Sequence, residues 1–243
     1  MDVSIVITAH NYAAYLNECI NSCLIQSASN LKFEIIVVDD GSTDNTQEVL
    51  SRFDDIRLRK FLIKNSGIER ASNFGFLNAI GRYIVRVDAD DKLLKGYLSS
   101  MKTFIDLGID FIYPDYFLID LSGSLLEQIK LPEFSREEVM QRGDFLATGT
   151  LISSSLLKKM GGYSIETINS GLENYELILK LLESGAKGMH VPSPLFCYRR
   201  HEKNFSELKK NQIINNGRKL FSKMNLGDFR TNDNHPYKLK VYK

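Results

Sequence analysis

No run of about 18 uninterrupted apolar residues occurs in the chain, so no transmembrane helix is expected. Met1-Asp2-Val3-Ser4-Ile5 enters a strand pattern at once, without a basic region and hydrophobic stretch, so no secretory signal is expected. Only three cysteines are present, Cys19, Cys23 and Cys197, and they cannot form a disulfide framework. Cys19 and Cys23 lie four apart on a predicted helix with no further metal ligands near. They read as packed thiols of a reducing, cytosolic compartment. No Gly-x-Gly-x-x-Gly follows the first strand, and no loop ends in Gly-Lys-Ser/Thr. Dinucleotide oxidoreductases and phosphate-loop nucleotidases are therefore disfavoured. A nucleotidyltransferase would bring a Gly-rich Arg/Lys loop after the first strand, and that is also missing. No internal repeat or low-complexity segment is visible.

What is present fits a globular α/β protein. The 243 residues can bury a full core, and 43% hydrophobic with 25% charged residues is ordinary for a soluble domain. The net charge of +1 hides an asymmetry. From Asn204 to Lys243 there are nine Lys/Arg against three Asp/Glu, beside an acidic body. A basic tail of this kind suggests an anionic partner, or a solvated helix face.

Strand and helix patterns alternate from the start. Strands are predicted over 3–8, 34–38, 56–63 and 83–87, and helices over 12–25, 44–53 and 68–79. This order implies a mostly parallel sheet with right-handed crossovers. Beyond Asp91 the rhythm changes. A helix is expected over 95–106, a strand broken by Pro114 over 110–120, and a turn-rich connection over 123–132. Helices follow over 136–141, 156–160, 172–183 and, basic and amphipathic, over 206–224. The stretch from Gly227 to Lys243 reads as irregular and mobile.

Three loops end three of the early strands: Thr8-Ala9-His10-Asn11-Tyr12, Asp39-Asp40-Gly41-Ser42 and Asp88-Ala89-Asp90-Asp91. In a parallel sheet all three open at one edge, where such sheets bind ligands. Asp88 and Asp90, spaced i and i+2, point the same way if the strand persists one residue further. Paired carboxylates there suit a hard divalent cation shared with substrate phosphates.

With these segments in order, the chain resembles family 2 glycosyltransferases of the GT-A fold. The resemblance rests on Val3 to Tyr12, Glu34 to Asp44, Asn65-Ser66-Gly67, Asn73-Phe74-Gly75 and Gly81 to Asp91. It continues through Gly161-Gly162-Tyr163, Glu173-Asn174-Tyr175-Glu176 and Tyr198-Arg199-Arg200-His201. It implies a Rossmann-like, mostly parallel central sheet flanked by helices. Residues 1–205 would form the catalytic domain, 1–92 its nucleotide-sugar half and 93–205 its acceptor half, with 206–243 a basic helical tail.

The same resemblance implies roles. Thr8, Ala9 and His10 would line the nucleobase pocket beside Asn11, Asn65 and Gly67. Asp40 would accept the imide hydrogen of a uracil, so a UDP-linked sugar is the expected donor. Asp88 would touch the ribose or the water shell of Mn²⁺ or Mg²⁺, with Ala89 beside it. Asp90 would bind the ion, with His201 near it, and Arg199 would lie over the diphosphate. The family's usual arginine falls at Ser72, and Arg70 is the candidate to replace it.

An inverting transfer needs a base, which the family places in a Glu-Asp pair at a helix start. Here the pair is Glu173-Asn174, and an amide cannot take the proton. Three readings stay open: Glu173 is the base, the chain is a non-catalytic sugar-nucleotide-binding subunit, or the transfer is retaining. The acceptor side would use Asp115, Thr148, Gly149 and the Glu173 helix. Lipid-linked, polysaccharide and protein acceptors are all compatible, and no nucleic-acid partner is expected. The expected location is cytoplasmic, with the basic tail an option for peripheral contact at the membrane's inner face.

Overall fold

The structure, a computed structural model, describes residues 1–146, 148–201, 204, 208–236 and 238–241. Three early strands, β1 (Val3–Ala9), β2 (Phe33–Asp39) and β4 (Tyr83–Asp88), are almost wholly buried. Their near-continuous Val/Ile runs are what a sheet covered on both faces requires. β3 (Leu58–Leu62) is the more exposed edge. β1 pairs in parallel with β2 and β4, and β2 with β3. The chain order therefore reverses on either side of β1, the switch point at which open sheets leave a crevice.

Helices α1 (Ala13–Leu24), α2 (Thr46–Ser51) and α3 (Ile68–Asn78) are the crossovers. α3 packs on β1 and β2. A Cβ at Gly75 would stand 2.3 Å from Val6 Cγ1, so this close approach needs glycine.

The second half extends the same sheet. Beyond β4 lie β8 (Leu151–Ser153), β6 (Phe111–Ile119), β9 (Gly188–Arg199) and β5 (Lys92–Leu93), with β7 (Leu125–Ile129) paired to β6. Here β6 and β9 are parallel, whereas β4–β8, β6–β8, β6–β7 and β5–β9 are antiparallel. The parallel expectation thus holds for the first half, and the whole sheet is mixed.

Three differences from the sequence reading stand out. The predicted break at Pro114 is a register shift against β9 within a continuous strand. The segment 123–132, read as a turn-rich connection, contains β7. The long strand β9 was not foreseen, because Pro192 and Pro194 speak against a central strand; the irregular register with β6 accommodates them.

The remaining helices are α4 (Tyr97–Asp106), α5 (Arg136–Arg142), α6 (Ser154–Lys159), α7 (Glu173–Glu183) and α8 (Lys210–Lys223). The predicted start of the last at 206–207 lies outside the described residues. Residues 227–241, expected to be mobile, bury Phe229, His235, Leu239 and Val241. Phe229 packs edge-on against Phe221 and near Tyr175. The three cysteines are buried and free. Among the described residues no helix is long and apolar enough to cross a membrane.

Candidate active site

The sheet register puts Thr8 beside Val38 and Asp88, and Ala9 beside Asp39. The loops after β1, β2 and β4 therefore open together, onto a cleft of about 420 Å³. Thr8, Ala9, His10, Asp40, Asn65, Gly67, Asp88, Ala89 and Asp90 line it, joined from the second half by Glu173 and Asn174.

On one wall, His10 Nδ1 lies 2.9 Å from the Asp40 carbonyl oxygen. A carbonyl only accepts, so Nδ1 carries the proton and Nε2 accepts, facing the Asn65 amide at 3.1 Å. Asp40 is buried, and Oδ1 accepts from the Ser66 backbone and hydroxyl while Oδ2 accepts from Gly67 N–H. Among the described residues Oδ2 takes no second donor, which leaves one lone pair for a ligand. Gly67 has φ +92°, and a Cβ there would meet Ile168 at 2.3 Å.

Two residues assigned to this wall have other work. Asn11, at φ 60°, does not line the cleft. Its side-chain oxygen accepts from Thr43 N–H and its own N–H donates to Ser42, which ties the first two loops together. Arg70 is exposed and also off the cleft, whereas Ser72 is fully buried. Positions two apart on a helix point about 200° away from each other, so Arg70 cannot reach where a side chain at 72 would point.

The three carboxylates of the acidic loop separate. Asp88 faces Arg86 Nη2 at 2.9 Å and accepts from Thr148 Oγ1 at 3.0 Å. Asp90 Oδ2 lies 3.2 Å from His201 Nε2. Burial pushes the Asp90 carboxyl above its ordinary value, and the His201 contact only partly opposes this. Asp91 turns inward and accepts from Arg199 N–H at 2.8 Å. Burial, then the charges of Asp90 and Asp88, raise it well above the usual carboxylate range.

Arg199 is not over the cleft. Its guanidinium donates to the carbonyls of Asp90, Asp120 and Leu121 and to Glu18, and stacks 4.8 Å over Tyr15. It staples the acidic loop to the end of β9 from behind. Its burial at the strand end, rather than on a loop, is the physical reason for the difference.

Glu173 opens α7 with its side chain 11% exposed at the cleft wall. Burial raises its carboxyl above the ordinary value, with Arg86 opposing. Asn174 accepts from Tyr163 O–H at 2.6 Å. Thr148 lines the cleft as expected, but Asp115 does not: it is buried, accepting from Leu131 N–H and facing His190. Gly149 is also off the cleft, at φ +81° against the Phe196 ring.

The sequence reading missed several lining residues, among them the charged Arg86 and Asp144 and, just before Glu173, Asn169 and Gly171. A charge inside the apolar strand Tyr83–Val87 was the available signal for Arg86; a lone Asp144 after Gly143 carries none. Another missed element is the carboxyl-terminal helix. Ile213 of α8 lines the cleft, while Gln212 and Asn216 donate to the carbonyls of Asn169 and Ser170, just before Glu173. The apolar face of α8, Ile213, Gly217, Leu220 and Phe221, is buried in the protein.

Among the described residues no three His, Cys, Asp or Glu side chains converge as a ready-made metal cage. The donor set nonetheless fits an ion completed by a ligand's phosphates. Asp90 offers a buried carboxylate beside an imidazole at the cleft, and Mg²⁺-type sites use one or two carboxylates plus phosphate oxygens. Asp88, already held by Arg86 and Thr148, is less available.

A sheet with a switch-point crevice walled by carboxylates defines an open α/β ligand-binding protein. Comparison with known proteins narrows the class. Residues 4–158 match the profile of glycosyl transferase family 2, and the chain belongs to that family. It is 32% identical over 228 residues to a chondroitin synthase of Pasteurella multocida, covering 87% of this chain but 22% of that protein. The chain thus spans about a fifth of that relative's length. Residues 1–349 of S. aureus TarS, solved with UDP-GlcNAc, superpose with a TM-score of 0.75 at 19% identity, covering 94% of this chain and 67% of that one. A mannosyltransferase from Pyrobaculum calidifontis, solved with GDP-Man and Mn²⁺, gives 0.70 at 17% identity, covering 92% and 64%. At such identities the likeness establishes the GT-A fold.

Proposed function

We propose that this chain transfers a sugar from a nucleotide-linked donor, UDP-linked by preference, to a glycan hydroxyl, with inversion and with Glu173 as the base. The observation that carries the reading is a cleft-lining Glu173 at the start of α7, its side chain only 11% exposed. The relative named as a chondroitin synthase supports a glycan acceptor, and the TarS complex supports a UDP-sugar donor.

In this reading Thr8, Ala9, His10 and Asn65 seat the nucleobase, and the open lone pair of Asp40 accepts its imide hydrogen. Asp90 and His201 would hold Mn²⁺ or Mg²⁺, which when bound supplies charge compensation for the leaving diphosphate. Asp88 lies on the sugar side. Glu173 accepts the acceptor hydroxyl's proton as its oxygen attacks the anomeric carbon. A carboxyl raised by burial is a stronger base than an exposed one, closer to what proton abstraction near neutral pH needs. Asn174, held by Tyr163, orients the acceptor rather than taking the proton. Residues 1–92 would carry the donor and 93–205 the acceptor. Contact with a membrane through α8 would be electrostatic, since its apolar face is already packed.

The test is a UDP-sugar panel with Mn²⁺, read as UDP release, on the wild type and Glu173→Gln. Turnover should fall about 10²- to 10⁴-fold in the variant, with UDP affinity retained. Near wild-type turnover in Glu173→Gln would overturn the assignment. Tight UDP binding with no turnover by the wild type across the panel would favour the non-catalytic subunit, which Asn174 motivates.

A further inference from the structure

Arg86 has no part in holding a nucleotide in the reading above, yet it is a buried cation that lines the cleft. It lies two residues before Asp88 on β4, so both side chains leave the same face of the strand. Its side chain is 7% exposed. Nη2 sits 2.9 Å and 3.0 Å from the two oxygens of Asp88. Nη1 points toward Glu173 Oε1 at 3.6 Å, and the guanidinium lies 5.3 Å over the Tyr163 ring.

The pairing is incomplete. Nε and Nη1 of Arg86 and Oε2 of Glu173 have no hydrogen-bond partner among the described residues. Arg199, equally buried, uses every nitrogen of its guanidinium. A buried guanidinium kept only for stability should look like Arg199, because each unsatisfied charged donor is expensive. At 3.6 Å the Arg86–Glu173 contact is longer than a hydrogen bond but well within ion-pair range. The arginine thus touches both the donor-side carboxylate and the carboxylate on the acceptor wall, and is fully committed only to the first.

We infer that Arg86 is a positioning residue for sugar transfer: it holds the Glu173 carboxylate at the cleft wall and ties that position to Asp88 on the donor side. The inference rests on the reading of Glu173 as the base. Arg86 acts through Glu173 and makes no contact with reacting atoms. A planar fork can serve two carboxylates at once, which a lysine ammonium does less well.

The experiment uses the full chain with Mn²⁺ and whichever UDP-sugar of the panel turns over. Arg86→Met, Arg86→Lys, Glu173→Gln and the double variant are compared for kcat, and UDP binding is measured by calorimetry. In Arg86→Met, kcat should fall about 100-fold, the scale of a displaced catalytic group, while UDP affinity stays within about threefold. Arg86→Lys should recover about tenfold of that loss. The double variant should be no slower than the slower single variant, since both changes strike one group.

Three results overturn the inference. They are a kcat within about threefold of wild type in Arg86→Met, a parallel loss of UDP binding, or losses that multiply in the double variant. If Arg86→Met does not fold, Arg86→Lys decides: about tenfold lower kcat with unchanged UDP affinity supports the role, and wild-type kcat removes it. An active Glu173→Gln sinks the base assignment itself. An inactive Glu173→Gln beside an active Arg86→Met sinks only the present inference.

Discussion

The two ends of the parallel strands bury charge in opposite ways. At the amino edge, Glu34 Oε1 accepts from Ser4 Oγ at 2.7 Å and from Ile80 N–H at 2.9 Å, while Oε2 faces Arg59 at 3.0 Å. Ser4 Oγ in turn accepts from Gly81 N–H at 2.9 Å. At the carboxyl edge, Thr8 Oγ1, two nitrogens of Arg86 and Oε2 of Glu173 lack partners among the described residues. Buried polar groups are normally satisfied, and an exception calls for a reason. The amino edge is closed and its charges secure the packing of β1, β2 and the turn into β4. The carboxyl edge is left incomplete where a ligand would enter.

The largest effect that tests this contrast comes from Arg199, which lies at the carboxyl edge but is paired like the amino edge. Arg199→Met should destabilise the fold by about 3–5 kcal/mol, because three carbonyls and Glu18 lose a buried donor. Chemical denaturation measures it, and a variant of normal stability but weakened UDP binding would return Arg199 to the diphosphate. Next is Glu34→Ala, which strands Ser4 and Ile80 N–H. It should cost about 1–3 kcal/mol and leave turnover per folded molecule unchanged. An activity loss without a stability loss there would break the division between the two edges.

The smallest effect is a sign. The Glu173 carboxyl is raised by burial, so the stability linked to its protonated form is present at low pH. That stability is lost as pH rises through the raised value, where the buried group ionises. Glu173→Gln should therefore match the wild type in acid and melt slightly higher at pH 7.5, a gain of about 1 kcal/mol or less. Melting curves at several pH values read the difference. A Glu173→Gln variant less stable than wild type at neutral pH, and equal to it in acid, would mean that Arg86 already satisfies the carboxylate.

Much of the donor side was legible because its signals are local. A buried parallel strand must be a continuous apolar run, and the polar residues ending three such runs had to meet at one edge. Thr8, His10, Asp40, Asp88 and Asp90 all line the cleft for that reason. Residues off the strand ends fared worse. Asn11 and Arg70 sit close in sequence to lining positions, but a left-handed backbone turn and a helix's periodicity point them elsewhere. On the acceptor side, β9 was masked by two prolines, and Asp115 lies inside the sheet rather than on the cleft.

The sequence by itself determined the alternating core, the family resemblance and the acidic loop, because each depends on neighbours a few residues apart. Tertiary structure alone decided which charges are finished and which are open. Arg86, Asp88 and Glu173 come together across 87 positions of chain, and Arg199 reaches Asp90 and Glu18 across the sheet. α8 reaches the loop before Glu173 from the far end of the chain. A side chain's hydrogen-bond partners depend on packing between distant elements, and no local spacing encodes them.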